Sequence, residues 1–337
     1  MAVNDTLVSS IGSINATSDT PLSEVYDTKY ATYLKLFSGE LFKAYESATV
    51  AKGTVQNRTI KNGKSVQFIF TGRMTADYHV PGKPILGSGD PPVAEKLIKV
   101  DDLLISSAFV YDLDETLAHY SLRGEISKKI GHALAEAYDK KIFRVIALAA
   151  REAHPITAPP GPEPGGSIIK IGAGNQYDAQ KLVDAFFEAA AILDEKNLPR
   201  DGRTAVLNPR QYYALVSQVD TNILNRDYGN SSGNLTSGEG LYEIAGIQLK
   251  RSNNLPFQAG TIAAVSGENN PYNGEFATHA GLIYQKDAAG VVEAIGPQVQ
   301  TTGADIKTMY QGDLIVGRLA MGADTLNPAA AIEIQTA

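Results

Sequence analysis

The chain has 337 residues, enough for about two domains at roughly 150 residues each. Hydrophobic residues make up 43% of the chain and charged residues 20%, as in an ordinary globular protein. The formal net charge of −7 argues against a surface built to coat DNA or an anionic membrane, and the absence of cysteine excludes disulfides, thiolate metal sites and cysteine nucleophiles.

The first 28 residues are small, polar and aperiodic, which predicts a mobile arm. They lack the charged start and apolar centre of a signal peptide, and no apolar run reaches the about 18 residues of a transmembrane helix. Apolar residues then recur at helical spacing between Tyr30 and Phe42. This spacing predicts one amphipathic helix over about 29–48.

Residues 54–110 have the pattern of a long β-hairpin. Two strand-like runs, Ser65–Phe70 and Leu97–Ala108, flank a segment rich in glycine and proline at 79–92. A two-stranded ribbon is only marginally stable in water. We therefore expect the hairpin to lie on other parts of this chain or on a neighbouring molecule.

A long helix is expected after the hairpin. Asp112 or Asp114 can cap its first turn, and Ser121 is a second candidate start. Apolar residues recur at helical spacing up to Leu148, and Pro155 ends the pattern. A helix over 121–153 would be about 50 Å long at about 1.5 Å per residue, so we interpret it as the spine of the fold.

Prolines and glycines dominate residues 154–174, which predicts an exposed loop or linker. A second helix, capped by Asp178 and closed by Pro199, is expected to follow. Residues 220–240 are expected to form a polar loop. The other elements expected in this half are a short helix at Pro209–Gln218 and strands at Thr204–Leu207, Tyr242–Leu249, Gly260–Ser266, Gly281–Gln285, Val291–Ile295, Val299–Thr302 and Asp313–Met321.

The segment over about 175–286 thus alternates helix and strand and can form a compact α/β domain. The spine helix and the late strands could close a second domain. Tyrosine is frequent, with 16 residues, while tryptophan is absent. Tyrosine suits interfaces, because it buries a large ring and keeps a polar tip, but it serves equally well in an ordinary core.

One segment resembles part of a nucleotide-binding motif. Gly63-Lys64-Ser65 looks like the end of a phosphate-binding loop, but position 58 is Arg58 where that motif needs glycine. A strand is also expected after Ser65, whereas the motif needs a helix. A turn that enters the hairpin is the better interpretation.

The signals for a metal or a catalytic site are equally weak. Asp112, Asp114 and Glu115 could hold a divalent cation, although capping of a helix start explains them more simply. His119 and His132 are too far apart on the spine helix to share an ion, and no nucleophile elbow occurs. We therefore predict that the chain is not an enzyme, and we assign no catalytic residue, no cofactor and no metal site.

The order of arm, helix, long hairpin, spine helix, α/β domain and returning strands resembles the Hong-Kong-97-type capsid fold of tailed phages. Short sequence words over about 29–330 narrow the resemblance to major capsid proteins of short-tailed, podovirus (autographivirus-like) double-stranded-DNA phages. These words are, in chain order, Lys35-Leu36-Phe37-Ser38-Gly39-Glu40, Gly63-Lys64-Ser65-Val66-Gln67-Phe68, Gly72-Arg73, Ala76-x-Tyr78-x-x-Pro81-Gly82, Val110-Tyr111-Asp112, His119-Tyr120, Ala320-Met321-Gly322 and Asn327-Pro328-Ala329-Ala330-Ala331.

The resemblance implies an α+β fold with five parts. Residues 1–50 would be an N-terminal arm with one amphipathic helix, and residues 51–105 an extended β-hairpin loop. Residues 106–177 and 288–325 would form a peripheral domain around the spine helix. Residues 178–287 would form an α/β axial domain, and 326–337 a C-terminal segment.

The resemblance also implies a structural protein that self-assembles as pentamers and hexamers into an icosahedral phage head around double-stranded DNA. The implied partners are further copies of the chain, a separate scaffolding protein, a portal protein at one vertex and the enclosed DNA, which is not bound by sequence; no membrane is involved. The chain would assemble in the host cytoplasm and reside in the virion. The alternatives are a cellular nanocompartment shell of the same fold and an α/β enzyme built on 175–286.

Two features depart from the family pattern. The segment 154–174 has no place in it, and could be a surface feature or a site for an accessory protein. Some relatives crosslink a hairpin lysine to a neighbour's asparagine. Lys64 and Lys83 lie in the hairpin, but no motif identifies a partner, so we predict no crosslink.

Overall fold

The computed structural model describes most of the chain from residue 49 onward. The described residues are 45, 49–74, 76, 78–79, 81–82, 84, 92–113, 122–156, 163–218, 243–301 and 309–337. The predicted helix over 29–48 therefore lies outside them except for Tyr45, which is helical. The predicted polar loop 220–240 and most of the hairpin tip also lie outside the described residues.

The chain divides into two compact units. Unit 1 comprises residues 1–48, 104–135 and 295–319, and unit 2 comprises residues 49–103, 136–294 and 320–337. These boundaries do not test the five-part division implied by the resemblance, which stays a prediction. None of the described helices is long and apolar enough to cross a membrane.

The described residues contain fourteen strands and three α-helices. The helices are α1 (Leu122–Ala149), α2 (Ala179–Glu195) and α3 (Pro209–Gln218). The strands are β1 (Gln56–Thr59), β2 (Ser65–Thr71), β3 (Val93–Lys99), β4 (Leu104–Tyr111), β5 (Ser167–Lys170), β6 (Thr204–Leu207), β7 (Glu243–Ile244), β8 (Ile247–Arg251), β9 (Thr261–Ile262), β10 (Gly274–Glu275), β11 (His279–Tyr284), β12 (Ala289–Thr301), β13 (Gly312–Thr325) and β14 (Ala331–Gln335). Short 3₁₀ turns occupy Lys286–Ala288 and Pro328–Ala330.

Unit 2 is built around a six-stranded mixed sheet of order β5-β14-β11-β6-β8-β7. β11 pairs antiparallel with β6 and with β14, whereas β6 pairs parallel with β8 and β14 pairs parallel with β5. The predicted strand at Thr204–Leu207 and the predicted helix at Pro209–Gln218 are confirmed with the same bounds. Two strands of this sheet, β5 and β14, come from outside the segment 178–287.

Helix α2 follows directly from its sequence. The Asp178 carboxylate accepts hydrogen bonds from the N–H groups of Gln180 and Lys181 at 3.0 and 3.4 Å, which satisfies amides that a helix start leaves unpaired. Asn197 has a φ of 56° just after the helix, a left-handed conformation that ends it. The apolar stripe between these ends, which includes Leu182 and Phe186, is fully buried in the core of unit 2.

The second strand of the hairpin differs from the prediction. β2 pairs antiparallel with β3, with Phe68 opposite Lys96. The run Leu97–Ala108, expected as one strand, is two strands, because the chain leaves the hairpin after Lys99. The Asp101 N–H donates to the Met321 carbonyl at 3.0 Å, so residues 100–103 join β3 to β4 outside the hairpin ladder.

The segment 154–174 is only partly the exposed linker that its prolines and glycines predict. Residues 167–170 form β5, the edge strand of the large sheet. The Gly166 N–H donates to the Glu152 carbonyl at 3.0 Å, just after α1. A side chain at Gly166 would collide with the carbonyl groups of Ala149 and Ala150, so this close packing needs glycine.

In unit 1, β4 pairs antiparallel with residues 312–319 of β13. The spine helix is confirmed as α1, which begins at Leu122 and ends at Ala149, four residues before the predicted end. It ends early because the backbone changes to the hydrogen-bond spacing of a 3₁₀ turn. The Arg151 N–H donates to the Leu148 carbonyl, three residues back instead of four, at 2.9 Å. Strand β1, for which no expectation was formed, pairs parallel with the start of β12 in unit 2.

Candidate assembly surfaces and the cleft beside the hairpin

The inner face of the hairpin lies on its own chain. Phe68 and Ile98 are buried there, and the Arg58 guanidinium stacks on the Phe68 ring at 4.2 Å. The Lys96 ammonium lies 3.6 Å from a carboxylate oxygen of Asp324. The base of the hairpin therefore has a partner within unit 2, which is one of the two possibilities that the sequence left open.

The outer face of the hairpin is exposed. We call it the hairpin face, and its residues are Ser65, Gln67, Ile69 and Thr71 of β2 with Val93, Glu95, Leu97 and Lys99 of β3. Three large aliphatic side chains lie among them, and Ile69 is 70% exposed. Regular strands that keep one side on the core and show aliphatic side chains on the other are typical of a protein interaction site.

A second exposed apolar surface lies in unit 1. We call it the β4 stripe, and its residues are Ile105, Phe109, Tyr111, Met309 and Tyr310, all of them exposed. The Phe109 ring makes edge contacts with the rings of Tyr111 and Tyr310, with centroids 4.9 and 6.4 Å apart. β4 is also an edge strand of its sheet. Exposed aromatic rings on an edge strand form a surface that another protein can cover.

The end of β2 is fixed to the segment that follows α1. The Arg73 N–H donates to Glu163 Oε1 at 2.8 Å, and its guanidinium Nε lies 3.1 Å from Glu163 Oε2. Gly72 allows this approach, since a Cβ there would lie 2.7 Å from Pro92 Cγ and 3.2 Å from Ile156 Cγ2. We call the Arg73–Glu163 contact the brace, because it holds the hairpin where the β2–β3 pairing ends.

A cleft of about 360 Å³ opens beside the brace, within unit 2. Phe70 and Leu198 contribute apolar lining to the cleft, and Arg73, Glu163 and Lys196 contribute charged side chains. The Lys196 ammonium donates to the carbonyl oxygens of Gly165 and Ala329 and to the Ser167 hydroxyl, at 2.7, 3.3 and 2.8 Å. Burial lowers the pKa of Lys196 to about 8.

His154 also lines the cleft, and its ring packs edge-on against Phe70. Burial holds the pKa of His154 below its usual value of 6.5, although the charge of Glu163 and the N–H of Ile156 oppose that effect. The imidazole is therefore mostly neutral at pH 7. Among the described residues, the charged side chains that line the cleft are two cations, Arg73 and Lys196, and one carboxylate, Glu163.

Two buried carboxylates hold the two ends of residues 50–101, the stretch of chain that contains the hairpin. Asp101 follows β3, and its carboxylate accepts from the Lys141 ammonium at 3.0 Å and from the Tyr272 hydroxyl at 2.7 Å. Burial has the largest effect on the pKa of the Tyr272 hydroxyl and raises it, and the negative charge of Asp101 raises it further. The hydroxyl therefore stays protonated and able to donate.

Asp139 of α1 holds the other end. Its carboxylate accepts the N–H groups of Val50 and Ala51 at 2.9 and 3.1 Å and the Asn254 amide at 3.4 Å. Burial raises the pKa of Asp139, while these hydrogen bonds and the charge of Lys250 act in the opposite direction. Residues 50–51 are thereby tied to the spine helix.

Among the described residues, the candidates singled out in the sequence form no site. Ser65 begins β2 and Gly63 has a φ of 110°, so Gly63-Lys64-Ser65 is a turn into a strand, as predicted. Asp112 lies 3.8 Å from Arg123, whereas Asp114 and Glu115 are outside the described residues. Among the described residues, no group of three or more His, Asp or Glu side chains could hold a metal ion.

The residues of the brace and the cleft were not expected from the sequence. Glu163 lies in a segment that its prolines and glycines marked as a loop, and Lys196 was not singled out. Only the tertiary structure brings residues 73, 163 and 196 together. The single sequence signal for the brace was the dipeptide Gly72-Arg73, which was part of the family resemblance but had no predicted role.

We expect that replacing Glu163 with alanine will loosen the hairpin beyond Arg73. The change removes both contacts of the brace, and because Arg73 is largely exposed we expect an effect of about 1 kcal/mol, or roughly fivefold in the opening equilibrium. Limited trypsin digestion, followed at the Arg73 site by mass spectrometry, measures this as faster cleavage. Glu188→Gln, at an exposed position on α2, is the control. Equal cleavage rates in Glu163→Ala and Glu188→Gln would show that the brace does not hold the hairpin.

Comparison with known proteins gives one consistent result. The family model of Gp10A-like major capsid proteins matches residues 68–335. The chain is 26% identical to the major capsid protein of Enterobacteria phage T3, over 90% of this chain and 91% of that protein. It is also 26% identical to the major capsid protein of Escherichia phage T7, with the same coverage of 90% and 91%.

The solved structures include a more similar chain. The chain in the capsid structure of Cyanophage P-SCSP1u is 37% identical, with a TM-score of 0.74 over 86% of this chain and 88% of that one. The Hong-Kong-97-type fold and the major capsid protein predicted from the sequence words are thus confirmed. The family match covers most of the hairpin, the spine helix and the large sheet, and the chain belongs to the Gp10A-like family of phage major capsid proteins.

Proposed function

We propose that the chain forms the pentamers and hexamers of an icosahedral phage head, and that the hairpin face and the β4 stripe are the surfaces that meet neighbouring copies. The exposure of large apolar side chains on these regular strands is the observation that supports this proposal. Tyr310, for example, is 61% exposed in the single chain. Such side chains are costly in water unless another molecule covers them.

The proposal extends to the partners of the shell. A separate scaffolding protein directs the curvature, a portal protein occupies one vertex, and assembly takes place in the host cytoplasm. The head encloses double-stranded DNA without binding its sequence. The net charge of −7 supports this last point, because strong binding to phosphates would need an excess of lysine and arginine.

The alternatives are less well supported. A cellular nanocompartment shell has the same fold, but the chain matches a phage capsid family and is 37% identical to a cyanophage capsid chain. An α/β enzyme built on the large sheet is not favoured either, because these relatives are structural proteins. We therefore assign the chain a structural role.

Aspartate substitutions on the two surfaces test the proposal. Ile69→Asp and Phe109→Asp place a charge where a neighbouring copy would bury an apolar side chain, which costs several kcal/mol, on the order of 3, per contact. We expect both variants to remain folded but to form no closed shells in sedimentation and negative-stain electron microscopy.

Val265→Asp is the matched control, because Val265 is similarly exposed but lies outside both surfaces. It should form shells like the unaltered chain, with a similar melting temperature of the free subunit in all three variants. Normal shells from both Ile69→Asp and Phe109→Asp would refute the assignment of these surfaces.

A further inference from the structure

The cleft beside the brace has an unbalanced charge. Within the described part of the chain, Arg73 meets one carboxylate, that of Glu163, while Lys196 has only neutral oxygens around its ammonium group. A partly buried ammonium without a carboxylate is unusual, because burial penalises its charge. The cleft therefore offers more positive than negative charge to whatever enters it.

The cleft also has room and an apolar wall. Its volume of about 360 Å³ is enough for two or three side chains. Phe70, Leu198 and Pro164 contribute apolar lining, and Arg73, Glu163 and Lys196 contribute the charged groups. Arg73 uses its Nε for Glu163 and its Nη2 for the Lys196 carbonyl oxygen at 3.4 Å, and its Nη1 makes no hydrogen bond with any described residue. A carboxylate is the group that an open guanidinium N–H binds best.

The position of the cleft indicates what fills it. Ile69 and Thr71 line the cleft and also belong to the hairpin face. The cleft is thus continuous with a surface that, in the proposed function, a neighbouring copy covers. The chain is acidic, with 37 Asp and Glu against 30 Lys and Arg, so another copy has carboxylates to present.

We propose that this cleft is a docking site for an acidic side chain of a second copy of the chain. The carboxylate binds at the open Nη1 of Arg73, beside the positive charge of Lys196, and an apolar neighbour of that residue packs against Phe70 and Leu198. The site gives the Pro/Gly-rich segment a role, because Glu163 and Pro164 line the cleft and the Gly165 carbonyl oxygen accepts a hydrogen bond from Lys196. The inference rests on the proposed function, since it requires that copies assemble.

Zero-length crosslinking tests this directly. Shells are assembled from an equal mixture of unlabelled and ¹⁵N-labelled full-length chain and treated with a carbodiimide, which joins amines to carboxylates in contact. Mass spectrometry then identifies pairs that combine labelled and unlabelled peptides. We expect Lys196 to be joined to an Asp or Glu of the other copy.

The outcomes separate the inference from the function on which it rests. If shells form and other lysines give intermolecular products, but Lys196 gives none or only its own Glu163, the docking site is wrong while the capsid function stands. If no shells form under any condition, the proposed function fails and the docking site with it.

Substitution of Lys196 gives a second measurement. Lys196→Gln removes the charge, and we expect the protein concentration needed for assembly to rise by about tenfold. Lys196→Arg keeps the charge and should restore most of the assembly, and Lys181→Gln, at an exposed position on α2, should have no effect. Melting temperatures of the free subunits identify any loss of folding. Assembly of a folded Lys196→Gln variant at the unaltered concentration would overturn the proposal.

Discussion

Replacement of Gly322 with alanine is expected to lower the free energy of unfolding by about 4 kcal/mol or more, which is at the extreme of single substitutions. The added Cβ would collide with the Lys99 carbonyl oxygen and lie 2.9 Å from the Asn270 amide nitrogen. Neither group can move easily. The Asn270 amide donates to that same carbonyl at 2.7 Å, and the Met321 carbonyl accepts the Asp101 N–H at 3.0 Å.

Thermal unfolding of the free subunit measures this effect. A loss of about 4 kcal/mol corresponds to a fall in melting temperature of roughly 10 °C for a domain of this size. Gly296→Ala is the matched control, since this glycine also lies in a strand, has an ordinary φ and would place its Cβ in open space. Similar melting temperatures for the two variants would show that β3 and β13 do not approach each other this closely.

Gly322 also shows where prediction from the sequence stops. It was recognised as part of the word Ala320-Met321-Gly322, but nothing local to that word says that the backbone of β3 crosses it. Helices α2 and α3 and strand β6 were predicted correctly, because caps, helical spacing and a compact apolar run carry their signals within the segments themselves. Contacts between distant segments leave no comparable local signal.

The strands that were missed or wrongly bounded support the same point. β1 and β5 are four residues each and β14 is five, and each contains two or more polar residues, so none forms a compact apolar run like that of β6. Each is fixed by parallel or antiparallel pairing with a strand far away in the chain, such as β14 with β11. The run Leu97–Ala108 looked like one strand because only four residues separate β3 from β4, and two of them, Val100 and Leu103, are apolar.

The candidate surfaces likewise differ in whether the sequence predicted them. The hairpin and its need for a partner followed from composition and from the marginal stability of a two-stranded ribbon. The exposed stripe on β4 did not, because the pattern alone does not say which face of a strand lies on the core. Glu163 and Lys196 could not be expected to meet, since the brace and the cleft depend on how residues 163–166 pack against the end of α1.

The second large effect on the free energy of unfolding is expected at a buried ion cluster in unit 2. Glu333 of β14 is fully buried. Its carboxylate accepts from the Arg151 guanidinium, with Nε at 2.6 Å, from the Gln335 amide at 2.8 Å, and lies 2.7 Å from His279 Nδ1. Arg151 also donates to the Glu275 carbonyl. The cluster thus joins the end of α1 to two neighbouring strands of the large sheet.

Glu333→Gln is expected to cost about 3–5 kcal/mol at pH 7, because it leaves a half-buried guanidinium without its anion. Burial, the largest effect, would raise the pKa of Glu333, but the hydrogen bonds from Arg151 and His279 outweigh it and hold the pKa below its usual value of 4.5. A carboxyl with a lowered pKa stabilises the fold above the unfolded value and loses that contribution as the pH falls through the folded value.

Denaturant unfolding at several pH values therefore separates the charge of Glu333 from its packing. The unaltered chain should be much more stable than Glu333→Gln at pH 7, and the difference should shrink as the pH falls below about 4.5, where the carboxyl becomes protonated. Glu188→Gln, at an exposed position, should match the unaltered chain throughout. A difference that stays constant from pH 7 to about 3 would mean that glutamine fails for reasons of shape, and that the charge on Glu333 does not hold α1 to the sheet.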